Sequence, residues 1–170
     1  MDPILTLTVH GTHFFLVDCR GGRLLVDAGW ELERFKAQLK AHRVGWSEIR
    51  WVMFTHHHPD HAGLVQEVKR LCGARMIIHE RQAPFLPALR AFAERKGGAT
   101  PIQVEPGDLV SPGRAELAAI GVPGVIVETP GHSPDSVSLV LDGGEAFIGD
   151  LPAPELIDPD SQPEALVSYR

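Results

Sequence analysis

The chain of 170 residues predicts a mixed α/β (α+β) fold, and three observations predict it. Short runs rich in β-branched, Leu and Phe residues open the sequence. Two segments with helical apolar spacing interleave with further apolar runs. The second half turns to short strand-like stretches punctuated by Pro and Gly.

The opening runs are Ile4 to Val9, His13 to Cys19 and Arg23 to Asp27, parted by Gly11-Thr12 and Gly21-Gly22. Glycine breaks between such runs are hairpin signals, so three antiparallel strands are expected. Glu31 to His42 carries Leu32, Phe35 and Leu39 at spacings of three and four, one face of an amphipathic helix. Ile49 to Thr55 is mostly apolar, as a strand covered on both faces must be. A second helix follows from about Ala62 to Cys72, with Gly73 to close it. Arg75 to His79 reads as a strand. Gln82 to Lys96 is helical in composition but interrupted by Pro84 and Pro87, which suggests a mobile flap or a crossover ending at Gly97-Gly98. Strands are then expected at Ile102 to Glu105, Glu116 to Ile120, Gly124 to Glu128, Ser136 to Leu141 and Glu145 to Ile148, with Asp142-Gly143-Gly144 as a tight turn. Pro163 to Arg170 predicts the first turns of a helix.

Length and charge bound the function. One domain over residues 1–170 is expected, large enough for its own core. Two cysteines, Cys19 and Cys72, make no disulfide scaffold and read as packed thiols in a cytoplasmic protein. No apolar run approaches the roughly 20 residues that span a bilayer, and Met1-Asp2-Pro3-Ile4 has no signal-peptide character. A net charge of −6 argues against nucleic acid as the main partner.

Nine histidines are the unusual feature, three of them consecutive in Thr55-His56-His57-His58-Pro59-Asp60-His61. Side chains alternate along an extended segment leaving a strand, so His56 and His58 face one point and His57 faces away. Pro59 bends the path, and Asp60 and His61 open the next helix toward a second point nearby. Imidazole and carboxylate are the ligands that zinc and other borderline metals prefer. Thr129-Pro130-Gly131-His132-Ser133 adds a histidine on a turn after a strand, and Ile148-Gly149-Asp150 a carboxylate at a strand end. His10, His13, His42 and His79 share no ligand spacing and read as surface or strand residues. Asp135 reads first as a turn cap, second as a contact to the site. Arg81, Arg90, Arg95 and Lys96 read as a solvated helix face.

With these motifs in this order, together with Gly11-Thr12 and Leu25-Val26-Asp27-Ala28-Gly29, nearly the whole chain resembles the metallo-β-lactamase-fold superfamily, among its members those of the glyoxalase II and lactonase type. The resemblance implies a four-layer αββα sandwich with metals at one edge of two sheets. It implies His56, His58 and His132 as ligands of a first metal, Asp60 and His61 as ligands of a second, and Asp150 as the bridge. Asp27 corresponds to a structural acid beneath the site. Zinc is the implied cofactor, two ions per chain, with iron or manganese tolerated by the same donors. The implied activity is hydrolysis, a metal-bound hydroxide attacking the ester, thioester or lactone carbonyl of a small molecule while Asp60 orients it and carries the proton. The alternative is a truncated or regulatory metal-binding domain with little or no catalysis.

One departure stands out. Members usually carry a further histidine after the bridging Asp, and here none follows His132. The closing strands and helices of the second half are also missing, so that half is expected to be incomplete at the C-terminus. Three arrangements fit: a fragment, a weaker second site with three protein ligands, or a homo-oligomer whose neighbouring chain supplies the ligand.

Overall fold

A computed structural model describes residues 4–96, 100–160 and 162–169; the Met1-Asp2-Pro3 start, the Gly97-Gly98 break and Arg170 lie outside them. The three opening strands form as expected: β1 (Ile4–Val9), β2 (Thr12–Cys19) and β3 (Gly22–Val26), paired antiparallel with Val9 opposite Thr12 and Cys19 opposite Gly22. The first turn is His10-Gly11, both at positive φ (51° and 87°), the backbone a two-residue hairpin demands. Helix α1 (Leu32–Ala41) buries Phe35 and Leu39. Strand β4 (Ile49–Met53) then pairs parallel with β3, and β5 (Arg75–Ile78) parallel with β4. Between them lie the four-residue α2 (Pro59–Ala62) and α3 (Val65–Cys72), the latter closed by Gly73 at φ 63°.

The Pro-interrupted segment is an ordered crossover. A 3₁₀ stretch over Glu80–Phe85 contains Pro84, and α4 (Leu86–Lys96) carries Pro87 at its second position, where a missing N–H costs nothing. It leads to β6 (Leu109–Val110), parallel to β5.

Two expected strands are absent. Ile102–Glu105 pairs with no strand because α3 side chains satisfy its backbone: Gln103 N donates to Gln66 Oε1 (2.9 Å) and Gln103 O accepts from Lys69 Nζ (3.1 Å). The segment Glu116–Ile120 belongs mostly to a helix, α5 (Arg114–Ala119), because Gly113 N is capped by Glu116 Oε2 (2.8 Å) and Leu117 alone needs burial. Strands β7 (Gly124–Glu128), β8 (Val137–Leu141) and β9 (Ala146–Phe147) make an antiparallel second sheet, and α6 (Pro163–Val167) follows.

The layers follow from alternation. In the six-stranded first sheet, Leu25, Val52, Phe54, Met76 and Ile78 face α1 and α3, meeting Phe35, Leu39, Val65 and Val68. Leu24, Val26, Trp51, Met53 and Ile77 point the other way and meet Leu139 and Phe147 of the second sheet and Leu117 of α5. A strand with both faces covered has to be apolar throughout, which is why β3, β4 and β5 read as runs. A third small cluster of Leu151, Ile157 and Ala165 gathers at α6. The fold is thus the expected αββα-type sandwich. Among the described residues, no helix is long and apolar enough to cross a membrane.

Candidate metal centre

The two sheets are joined where the histidine motif begins. Thr55, just past β4, accepts a hydrogen bond at its carbonyl from Val137 N at the start of β8 (2.9 Å). From this seam His56 and His58 enter from the first sheet, and His132 enters from the turn after β7. Asp150 follows β9, and His61 rises from α2. The rings converge, with centroids 4.2 Å apart for His56–His61, 4.6 Å for His56–His58 and 4.9 Å for His56–His132. Two groups of three donors each lie within 4.8 Å of one another: His56, His58 and His132, and His56, His61 and Asp150. Asp60 joins neither group; its carboxylate sits 3.6 Å from His61 Nε2 and accepts from Thr12 Oγ1 at 3.4 Å. His57 points away, as alternation requires.

Hydrogen bonds set the tautomers. Asp27, buried and at φ 63°, accepts from Thr55 N (2.7 Å), from Thr55 Oγ1 (3.0 Å) and from His61 Nδ1 (2.9 Å). His61 therefore keeps its proton on Nδ1 and presents a bare Nε2 to the cluster. The Thr55 hydroxyl, having donated to Asp27, accepts from His56 Nδ1 (3.1 Å) and leaves His56 Nε2 bare too. Both Nε2 atoms are buried with no hydrogen-bond partner among the described residues. Buried polar atoms are rarely left so, and a metal is what two such lone pairs suit.

Charge tells the same story. Burial first, then the neighbouring imidazoles, pushes His56 down to about 2. Burial and His132 also lower His58. Burial opposes protonation of His61 as well, yet Asp27, Asp150 and Asp60 outweigh it and raise its pKa. His56 and His58 are thus held neutral and ready for a cation.

Glycines bring two ligands close. Gly149, at φ 57°, lies against Thr55, where a Cβ would meet Oγ1 at 2.5 Å; Gly131 lies against Ala165 of α6, where a Cβ would meet Cβ at 2.6 Å. Asp150 and His132 each follow one of them.

Several contributors had weak signals in the sequence. Asp135 is fully buried and accepts from His57 N (2.9 Å), His57 Nδ1 (2.8 Å) and Ser133 Oγ (2.7 Å), so it ties the histidine loop to the His132 turn as well as capping it. Arg81 is not a solvated helix-face residue: it donates to Pro134 O and pairs with Glu128 (2.6 Å). Phe85 lies 5.2 Å from the His57 ring. Tertiary pairs such as His57–Asp135, 78 positions apart, leave no local pattern to find. Cys19 and Cys72 are half-buried, and burial pushes their thiols up to about 11 and about 12.

The molecule is similar in fold to solved metallo-beta-lactamases. A beta-lactamase from Chitinophaga pinensis superposes with a TM-score of 0.68 at 22% identity, over 98% of this chain and 68% of that one. The subclass B3 enzyme of Bradyrhizobium japonicum gives 0.65 at 20% identity, over 99% and 70%. Among curated proteins, a hydroxyacylglutathione hydrolase of Bradyrhizobium sp. (strain ORS 278) is 38% identical over 110 residues, which is 64% of this chain and 34% of that protein. One from Nitrobacter winogradskyi is 33% identical over 101 residues, 59% of this chain and 32% of the other. The matched stretch thus spans about one third of these relatives. The family model of the metallo-beta-lactamase superfamily matches residues 7–157, from β1 through the turns beyond Asp150, and with that extent matched the chain belongs to this superfamily.

Proposed function

We propose that the chain is a metal-dependent hydrolase of a small-molecule ester, thioester or lactone. The observation that carries this is the pair of bare, buried Nε2 atoms of His56 and His61 among three further donors. His56, His58 and His132 would hold one ion. Because His56 Nδ1 is engaged by Thr55, its Nε2 serves that ion alone. His61 and Asp150 would hold a second, with Asp60 close enough to join them. Zinc suits these donors, and iron or manganese would use the same set. A bound divalent cation supplies Lewis acidity, polarising a carbonyl and making water a competent nucleophile near neutral pH.

The chain's own groups do the rest. Asp27 and Thr55 hold the imidazoles in the tautomers described. Asp60, 39% exposed at its side chain, is the carboxylate beside the cluster that belongs to neither donor group, and the Thr12 hydroxyl steadies its Oδ2. It takes the proton of the attacking water and delivers it to the departing oxygen or sulfur.

The test combines native mass spectrometry with turnover of thioesters, esters and lactones. Two metals per chain and measurable hydrolysis are expected, with His58→Ala and Asp60→Asn each losing at least about 100-fold in kcat. Full activity in Asp60→Asn overturns its assignment. A second reading, a metal-binding domain with little catalysis, has one observation in its favour: without His56 the second donor group is down to His61 and Asp150 plus the neighbouring Asp60. One metal per chain with no turnover would select it.

A further inference from the structure

We propose that His13 of β2 is a protein ligand of the second ion, supplied by the β1–β2 hairpin from outside both donor groups. This inference rests on the two-ion reading above and completes its second site.

That site is short of donors. Its group consists of His56, His61 and Asp150, and His56 Nε2 serves the first ion. His61 Nε2 and Asp150 Oδ1, 3.2 Å apart, are then two donors where a catalytic zinc ion takes three from the protein. Asp60 lies beside them as the group that carries the proton. His61 Nε2 is buried with no hydrogen-bond partner among the described residues, a state in which buried nitrogens are rarely left.

The cavity beside this pair singles out the remaining donor. It encloses about 320 Å³, and four of its lining side chains are of metal-ligating type: His13, Asp27, His61 and Asp150. Asp27 is engaged by Thr55 and by His61 Nδ1. The Thr12 hydroxyl, also in the wall, is turned to Asp60. His13 is left.

Topology brings His13 there. Strand β2 runs antiparallel to β3, so it begins at the edge where β3 and β4 end and the histidine loop starts. Thr12, its first residue, already touches Asp60. Side chains alternate along a strand, so His13 shares a face with Phe15. The Phe15 ring lies 5.0 Å from that of Phe147 in β9, and Ile148, Gly149 and Asp150 follow directly. His13 thus stands on the face of β2 that is turned toward the Asp150 segment.

The imidazole suits the task. His13 Nδ1 lies 3.0 Å from Oγ1 of Thr8, its directly opposite partner on β1. With Nδ1–H donating to that hydroxyl, Nε2 is the nitrogen left for an ion, the same division that Asp27 imposes on His61. The side chain is exposed, so a rotamer change toward an entering cation is fast and costs little.

The experiment titrates zinc into the isotope-labelled, metal-free protein and reads each histidine ring nitrogen by long-range proton–nitrogen NMR. His13 is assigned by the loss of its signals in His13→Ala. We expect Nε2 of His13 and of His61 to shift together with the second equivalent, along one binding curve. In His13→Ala the second equivalent should bind at least about 10-fold more weakly, because even groups behind a ligand are worth about 10- to 100-fold. The first equivalent should keep its affinity, and the Tm of the metal-free protein should stay unchanged. A second equivalent that moves His61 and leaves His13 unmoved, or a His13 shift with a separate affinity, overturns the proposal while the two-ion reading stands. A second affinity that rises with protein concentration places the missing ligand on a second copy and overturns it too. If neither His61 nor His13 responds to a second equivalent, the two-ion reading falls and this assignment with it.

Discussion

Asp27 shows how one buried side chain prepares the centre. Its carboxylate receives Thr55 N, Thr55 Oγ1 and His61 Nδ1, and through them it decides which nitrogen of two ligand histidines is bare. Its own backbone is at φ 63°, a conformation few residues other than Gly, Asn and Asp adopt readily. Asp27→Asn keeps that conformation but replaces an acceptor with a donor facing His61. The expected result is a metal affinity weaker by about 10- to 100-fold with the fold retained, read by competition with a chelator and by circular dichroism. Protonation also separates the two donor groups. With His56 held down to about 2 and His58 lowered, these two donors of the first group receive a cation near neutral pH without displacing a proton. His61 is raised, so a cation there competes with a proton as the pH falls. Metal titrations at pH 8 and pH 5.5 should show the second equivalent weakening more than the first. Equal weakening of both would contradict this assignment of donors.

The elements of the fold are held in register by buried polar contacts as much as by apolar ones. Lys69 on α3 reaches Asp108 Oδ2 (2.7 Å), Glu105 (2.9 Å) and Gln103 O (3.1 Å), fastening the strandless stretch that precedes β6. Asp108 is 2% exposed at its side chain, so Lys69→Met removes the counter-charge of a buried carboxylate that keeps only Met76 N (2.7 Å) and Glu105 N (2.8 Å) as donors. A loss of about 3–5 kcal/mol is expected in denaturant unfolding. Burial lowers the Lys69 pKa, but Asp108 and Glu105 more than compensate and raise it. A raised lysine stabilises fully below its unfolded pKa of about 10.4, and the contribution fades as pH rises through the folded value. The pair His57–Asp135 performs a comparable task between the two ligand loops, and Arg81 brings the crossover to the same turn. Asp135→Ala should therefore weaken metal binding although Asp135 is in neither donor group, with His58 and His132 the ligands loosened.

For the molecule as a whole, the donors sit where two sheets meet, so a bound cation joins both halves of the sandwich. Metal that binds only the folded state at about 100 times its Kd adds about 2.7 kcal/mol. For a chain of this size that corresponds to a rise in Tm of roughly 5–11 °C, lost on chelation. A chelator that leaves Tm unchanged would mean that the cluster holds no ion in solution.

Much of this architecture was legible in the residues. Period-two and period-3.6 patterns need only local contacts, so β1 to β5 and helices α1 and α3 could be read directly. The alternation in His56-His57-His58 likewise separates ligands from the residue that faces away. Glu116–Ile120 misread as a strand because its helix depends on a glutamate reaching back to cap Gly113, and Ile102–Glu105 because its partners are side chains of α3. The amino-acid order alone thus settles the elements whose contacts are local, and the donor types. Which donors share a point and which nitrogens are bare depend on residues 28 to 78 positions apart meeting within the first sheet and between the two sheets. That meeting is created by burial of the apolar faces between and behind those sheets, and no local pattern encodes it.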